Sequence, residues 1–221
     1  MIRLDNVSKI YGMNNTQVTA LKNINLNIFE GDYVSISGTS GSGKSTLMNI
    51  IGCLDSPTAG NYFFEGVPIN TIGQSELSTI RNKYIGFVFQ SFFLIPGLTA
   101  LENVILPLFY GGKGKKECIK KAREVLELMD LGDRIHHDST ELSGGQKQRT
   151  SIARALVTNP KILLADEPTG NLDSKNTREI MGLFKDLNKK GMTVVLITHD
   201  ERYANMANKR YKIEDGILQE A

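Results

Sequence analysis

Apolar and polar residues alternate near the start of the chain. Ile2 and Leu4, and then Ile24, Leu26 and Ile28, are separated by polar positions. A period of two turns one face of a strand inward, so these stretches predict half-buried antiparallel strands. Residues 33–37 predict a buried strand, and residues 60–66, around Tyr62 and Phe64, another. Ile85, Phe87, Val88 and Phe89 form a short apolar strand that ends at Gln90. The pattern then becomes helical. Residues 100–109, 115–129 and 144–157 predict helices. In the second, Ile119, Ala122, Val125, Leu126 and Met129 share one face. The last third mixes both patterns. Residues 161–165 predict a buried strand, 174–190 a helix carrying Ile180, Leu183, Phe184 and Leu187, 193–198 a strand of the parallel-sheet kind, and 201–207 a helix. Residues 211–218 predict a hairpin turning at Asp215 and Gly216. A helix over 44–53 is also expected, with Leu47, Ile50 and Ile51 on one face.

Composition narrows the class. The 221 residues suffice for one domain, or one domain with a subdomain. Hydrophobic content of 40% and charged content of 23% are ordinary for a globular protein. A net charge of +2 gives no footprint for a polyanion, so nucleic acid is not an expected partner. Lysines 113, 115, 116, 120 and 121 read as a solvated helix face rather than an anion-binding surface. No apolar run approaches the roughly eighteen residues that span a bilayer, and Met1 to Asp5 opens no signal peptide. The two cysteines are far apart, without metal-ligand spacing. Cys53 reads as a core thiol and Cys118 as a helix-surface thiol, in a reducing cytoplasm.

The candidate chemistry begins at Gly38, Thr39, Ser40, Gly41, Ser42, Gly43, Lys44 and Ser45. This G-x-x-x-x-G-K-S pattern lies between a predicted strand and a predicted helix. Glycines allow successive backbone N–H groups to curl around phosphate oxygens, and the helix start adds the positive end of its dipole. Lys44 would reach the β- and γ-phosphates, and the Ser45 hydroxyl would ligate Mg²⁺. Asp166 and Glu167 follow the strand at 161–165, at the sheet edge where ligands of parallel sheets bind. Asp166 suits the Mg²⁺ shell, and Glu167 suits the attacking water. Leu142, Ser143, Gly144, Gly145 and Gln146 open a helix. Ser143 can cap it, and the glycine amides can meet a second anion. His199 leaves the same predicted sheet edge as Asp166, which points to a γ-phosphate contact. His136 and His137 have no such context and read as loop residues. Tyr11, taken alone, reads as core or surface packing.

Together these motifs resemble the ATP-binding subunit of an ATP-binding-cassette (ABC) transporter, over essentially the whole chain. The resemblance implies an α/β fold: a P-loop NTPase core with a mixed sheet, an antiparallel β subdomain and an inserted α-helical subdomain. It implies a single domain over 1–221, with the nucleotide-binding core in 1–90 and 160–221 and the helical subdomain, carrying the signature, in 91–159. Nucleotide contacts are implied for Tyr11 stacked on adenine, for Gly38 through Ser45 with Thr46, and for Ser143, Gly144, Gly145 and Gln146. Lys44, Gln90, Glu167 and His199 are the implied catalytic residues, and Ser45, Gln90 and Asp166 the Mg²⁺ ligands. Asn171, Leu172 and Asp173 resemble the D-loop. The implied cofactors are ATP and Mg²⁺. The implied assembly is a head-to-tail homodimer that sandwiches ATP and sits on an integral membrane permease at the cytoplasmic face. After Gln90, the apolar stretch from Ser91 to Ala100, broken at Pro96 and Gly97, either fills the subdomain core, as at Leu94 and Leu98, or, as the resemblance implies, forms the groove that receives the permease.

Finer strings resemble the macrolide-exporter and lipoprotein-release branch: residues 86–90, 101–107 and 165–173. That branch includes antimicrobial-peptide exporters and a cell-division member. So export or extraction of an amphiphile stands beside mechanotransmission, in which the membrane partner regulates an extracytoplasmic enzyme. A soluble cassette of translation or DNA repair is disfavoured by the single loop, the single signature and the lack of sustained heptads. Thr150 and Ser151 depart from the small apolar residues usual there, and no proline precedes the signature.

Overall fold

A computed structural model describes residues 1–12 and 16–221. The chain divides into two compact units, Met1–Ser78 with Asn188–Ala221, and Thr79–Leu187. The first unit opens with β1 (Ile2–Tyr11), β2 (Val18–Ile28), β3 (Tyr33–Ser37), α1 (Lys44–Ile51), β4 (Ala59–Phe64) and the short β5 (Val67–Pro68). Along α2 (Gln74–Tyr84) the chain passes into the second unit. That unit holds β6 (Ile85–Phe89), α3 (Ala100–Tyr110), α4 (Lys115–Leu128), α5 (Gly144–Leu156) and β7 (Ile162–Asp166). Along α6 (Ser174–Lys189) it returns, and the first unit closes with β8 (Thr193–Ile197), α7 (Glu201–Ala204), β9 (Lys209–Glu214) and β10 (Ile217–Glu220).

In the first unit, the alternating residues pair as their period requires. β1 and β2 are antiparallel, with Ile2 opposite Ile28 and Leu4 opposite Leu26, all buried. β1 also pairs with β4, giving a sheet in the order β2-β1-β4-β5. Separately, β3 runs parallel to both β8 and β9. The terminal hairpin of β9 and β10 turns at Asp215 and Gly216, both at positive φ, 47° and 78°. That pair of angles matches the twist of the flanking strands. Leu47, Met48, Ile50 and Ile51 bury one side of α1. Tyr62 is also fully buried, and its hydroxyl donates to the Ile51 carbonyl at 2.6 Å. α1 ends two residues before the expected end, where Cys53 takes φ 55°.

In the second unit, β6 and β7 are parallel, with Ile85 opposite Ile162 and Phe89 opposite Asp166. α3 starts with a reciprocal cap. The Glu102 N–H donates to Thr99 Oγ1 at 3.2 Å, and the Thr99 N–H donates to Glu102 Oε2 at 2.8 Å. The Thr99 backbone and hydroxyl hold the Glu102 carboxyl below its ordinary range. Asn103 is completely buried. Its side chain accepts from the Ile95 N–H and donates to the Ile95, Leu98 and Thr99 carbonyls, which fixes the loop before α3.

Two expectations change. Cys118 is not on the helix surface: it is fully buried and its thiol faces the Lys113 carbonyl at 3.5 Å. The buried stripe of α4 runs through Cys118, Ala122 and Leu126, so Ile119 sits at its margin. Second, α2 carries no apolar stripe, since only Leu77 is buried on it, and periodicity therefore gave no signal for it.

Thr150 and Ser151 both lie in the core of the second unit, fully buried on α5. Thr150 Oγ1 donates to the Gln146 carbonyl at 2.8 Å, one turn back. Ser151 Oγ has no hydrogen-bond partner among the described residues. A buried hydroxyl without a partner carries its desolvation cost uncompensated. Ser151→Ala should therefore stabilise the protein by about 1 kcal/mol, helped by the helix preference of alanine. Thermal melting would show a rise of roughly 2–4 °C. A lower melting temperature would mean that the hydroxyl has a partner.

Candidate functional site

The first unit places a phosphate-type loop and a histidine at one sheet edge. β3 and β8 are parallel, so the chain leaves both at the same end. β3 leads into Gly38, and β8 leads through Thr198 into the exposed His199. The Thr198 N–H donates to the Ile36 carbonyl, which keeps the two exits side by side.

Local sequence explains the loop. Gly43 caps α1 with φ 111°, a left-handed value that L side chains avoid, and a Cβ there would lie 2.6 Å from the Ala20 carbonyl oxygen. No side chain caps α1, and its first turn has no acidic residue. The positive end of its dipole is therefore not neutralised from within the helix. Ser42 Oγ is buried with no partner among the described residues. Lys44 folds back over the loop, its ammonium donating to the Gly38 and Thr39 carbonyls at 2.9 and 2.6 Å. Thr39, Ser40, Gly41 and Ser45 are exposed, while Thr46 is half-buried. Donors from a helix start, an unpartnered buried hydroxyl and a mobile-stemmed ammonium fit a phosphate chain.

Tyr11 lies at the end of β1 and is not in the core: it is 41% exposed and packs at the surface. Its hydroxyl donates to Asp55 Oδ2 at 2.7 Å, and the Lys9 ammonium lies over its ring, 4.9 Å from the centroid. Lys9 also pairs with Asp55 Oδ1 at 2.5 Å. Burial raises the Tyr11 phenol, and the neighbouring carboxylate raises it further. Burial pushes the Asp55 carboxyl up, but hydrogen bonds from Lys9, Tyr11 and the Ser56 N–H outweigh it and hold it below its ordinary value.

The second unit assembles a different set. Because β6 and β7 are parallel, Gln90 and the pair Asp166–Glu167 leave the same end of their strands. Glu167 takes φ 46°, an uncommon conformation for a non-glycine residue. Gln90 is tied to Asn171: its carbonyl accepts from Asn171 Nδ2 at 3.0 Å. Beyond it, Asp173 accepts the N–H groups of Asn176 and Lys175, each at 2.9 Å, and these bonds hold its carboxyl low.

α5 begins at Ser143 with a full reciprocal cap. The Gln146 N–H donates to Ser143 Oγ at 3.4 Å and the Ser143 N–H donates to Gln146 Oε1 at 2.9 Å. The two glycines that follow differ. Gly144 has room for a Cβ, whereas a Cβ on Gly145 would lie 2.2 Å from Asn176 Oδ1. Glycine at 145 therefore leaves room for the Asn176 side chain, which any larger residue would have to displace.

Further along α5 are residues that the motifs did not reveal. Gln148 is fully buried and its amide donates to the Pro168 carbonyl at 2.5 Å, one residue past Glu167. Arg154 donates to the Phe92 and Phe93 carbonyls at 2.8 and 2.5 Å, and burial lowers its basicity. Phe92 and Phe93 are consecutive left-handed residues, φ 61° and 46°. Thus α5, which opens at Ser143, ties down the Glu167 loop and the Gln90 loop along its length. A glutamine and an arginine in a helix give no periodic signal, and only the tertiary contacts disclose them. His136 and His137 meet Arg123 and Arg134, respectively, in keeping with loop residues.

The ABC transporter family profile matches residues 21–170. An uncharacterized ABC transporter ATP-binding protein of Bacillus subtilis, YknY, is 51% identical over 99% of this chain and 95% of its own. The chain belongs to the ABC transporter family. It is an ATP-binding subunit of that family and an ABC-type ATP hydrolase. A macrolide export ATP-binding/permease protein, MacB of Wolinella succinogenes, is 47% identical over 99% of this chain, which covers 34% of that longer protein. The cassette MJ0796 of Methanocaldococcus jannaschii superposes with a TM-score of 0.90 at 50% identity, over 100% of this chain and 98% of that one. Its structures are described as dimeric, one in a post-hydrolysis state bound to ADP and Pi. The fold is the P-loop ABC ATPase fold, as the motifs implied.

The Arg154 contacts yield a test. Arg154→Ala removes both donors from the Phe92–Phe93 turn, at a cost of about 1–3 kcal/mol. Amide hydrogen exchange should speed up from Phe92 to Ile95 while α5 keeps its protection. Unchanged exchange in that loop would show that Asn103 alone holds it.

Proposed function

We propose that this chain hydrolyses ATP as one half of a head-to-tail homodimer and powers a membrane permease that exports or extracts an amphiphilic substrate. The carrying observation is that one chain has two differently built phosphate-type helix starts. α1 is uncapped and follows a glycine loop with a lysine, and α5 is capped but glycine-opened. One chain needs only the first to bind one nucleotide. The second then serves the nucleotide of a partner copy.

Each residue has a separate task. Gly38 through Thr46 wrap the phosphates, with Lys44 on the β- and γ-oxygens. Its ammonium must leave the Gly38 and Thr39 carbonyls to do so, which couples nucleotide binding to a rearrangement of the loop. Tyr11 stacks on adenine. Glu167 orients the attacking water, and His199 meets the γ-phosphate. Ser143, Gly144, Gly145 and Gln146 meet the partner's ATP. Ser45, Asp166 and Gln90 are hard oxygen donors of the kind Mg²⁺ takes, and no larger carboxylate or histidine cluster exists among the described residues. When bound, Mg²⁺ would neutralise the charge that develops on the phosphate oxygens. Catalysis is positioning plus electrostatics.

We assign residues 91–159 as the helical subdomain that carries the signature, against a nucleotide-binding core of 1–90 and 160–221. The permease would dock on the loop after Gln90, where Phe93 is 61% and Ile95 45% exposed. Gln90 connects that loop to the D-loop through Asn171. No helix among the described residues is long and apolar enough to cross a membrane. The chain would act through its permease partner, at the cytoplasmic face that the family resemblance implies. The macrolide-export relatives support an amphiphilic substrate.

Sharing in trans is testable by complementation. A Ser143→Arg protomer and a Lys44→Ala protomer should each be inactive alone. Mixed, they should recover a measurable part of the wild-type ATPase rate, since one site of each heterodimer is intact. No recovery, with heterodimers demonstrated, rejects the shared site.

A further inference from the structure

Outside the motifs, one side-chain cluster meets the nucleotide site. Lys9, Tyr11 and Asp55 form a closed triangle of contacts within the first unit. Tyr11 is exposed enough to be mobile, at 41%, yet its hydroxyl is held on Asp55 Oδ2 at 2.7 Å. Asp55 is itself fixed. Its N–H donates to the Asn49 carbonyl at the end of α1, and its Oδ1 accepts from the Ser56 N–H at 2.7 Å. The Lys9 ammonium completes the triangle, bound to Asp55 Oδ1 and to the Ser56 carbonyl at 2.8 Å. Lying over one face of the phenol ring, it blocks that face and leaves the opposite one for an aromatic partner.

We propose that Asp55 and Lys9 are positioning residues for the base of the nucleotide, holding the Tyr11 ring so that only one face is offered for stacking. The proposal rests on the reading of Tyr11 as the adenine-stacking residue. It extends the site from the phosphate loop to the far end of α1, because Asp55 follows the helix that the loop caps. A free tyrosine must lose side-chain rotation on binding, whereas a ring already ordered does not. The phenolic hydroxyl therefore matters as well as the ring, so phenylalanine at position 11 would stack but would not be held. The triangle also makes a prediction about chemistry: Asp55 and Lys9 act on the base through the Tyr11 ring, while the Tyr11 hydroxyl also meets the side chain of Thr46 in the phosphate loop.

The test is calorimetric titration of the purified chain with two probes, MgATP and magnesium tripolyphosphate, which lacks the nucleoside. Tyr11→Phe and Asp55→Ala should each weaken MgATP binding about three- to tenfold, the cost of ordering one side chain. Asp55→Ala should leave tripolyphosphate affinity unchanged, and it is the deciding variant here because Tyr11→Phe also loses the contact with Thr46. The double variant Tyr11→Phe/Asp55→Ala should bind MgATP no worse than the weaker single variant, because both remove the same hydrogen bond. Tyr11→Ala should lose roughly 5- to 100-fold for MgATP alone, as base–aromatic stacking implies. If Tyr11→Phe binds MgATP like wild type while Tyr11→Ala is impaired, the stacking reading survives and the anchoring role is overturned. If Asp55→Ala loses tripolyphosphate affinity in step with MgATP, Asp55 merely supports α1 and the proposal fails. If Tyr11→Ala binds MgATP like wild type, the stacking reading and the proposal fall together.

Discussion

Parallel strand pairing is the constraint on which the chemistry of this protein depends. Parallel strands leave a sheet at the same end, so whatever follows them is gathered at one edge. In one unit this brings the loop after β3 and His199 after β8 together. In the other it brings Gln90 after β6 and Asp166–Glu167 at the end of β7 together. The strands are mostly apolar, as sheets buried on both faces require, with only small hydroxyl residues such as Ser35 and Thr193 buried within them, and the charged residues come at or beyond the strand ends. Fold and site therefore have one origin: the same burial that pairs the strands sets where charged groups emerge.

The two glycine-opened helix starts show how the same backbone device is tuned. At α1 the cap residue is Gly43, no side chain satisfies the first turn, and the dipole is left to an anion. At α5 the cap is complete, with Ser143 and Gln146 exchanging bonds. A complete cap makes the helix start rigid, at the expense of donors for a ligand. α5 gains more from rigidity, since Gln148 and Arg154 hang the Glu167 and Gln90 loops on it. A displacement at the signature would move both loops with the helix.

The sequence made much of this legible, for reasons that differ by element. Short apolar runs such as β3 came out at their expected bounds, because burial determines them, whereas alternation marked only the first residues of β1, which continues through register shifts to Tyr11. The hairpin at Asp215–Gly216 was readable because few residues accept positive φ. α2 was not readable: it buries only Leu77 and carries no stripe. Cys118 was misplaced because the stripe of α4 was anchored on Ile119, one residue from its true centre. The phosphate loop and the carboxylate pair were visible as motifs. The anchoring of Tyr11 by Asp55 was not, since it joins positions 44 residues apart. Gln148 and Arg154 were hidden for the same reason, as their partners lie on distant loops.

The central claim is that hydrolysis is performed by a dimer closed on ATP, with Glu167 the group that acts on water. Glu167→Gln keeps the shape of the side chain but removes the charge that orients the water. Size-exclusion chromatography with light scattering, with and without saturating MgATP, measures the outcome directly. The account predicts a monomer without nucleotide and a stable dimer with it, in a variant that binds ATP and does not turn it over. A variant that binds MgATP normally and stays monomeric, or one that hydrolyses at the wild-type rate, would contradict it.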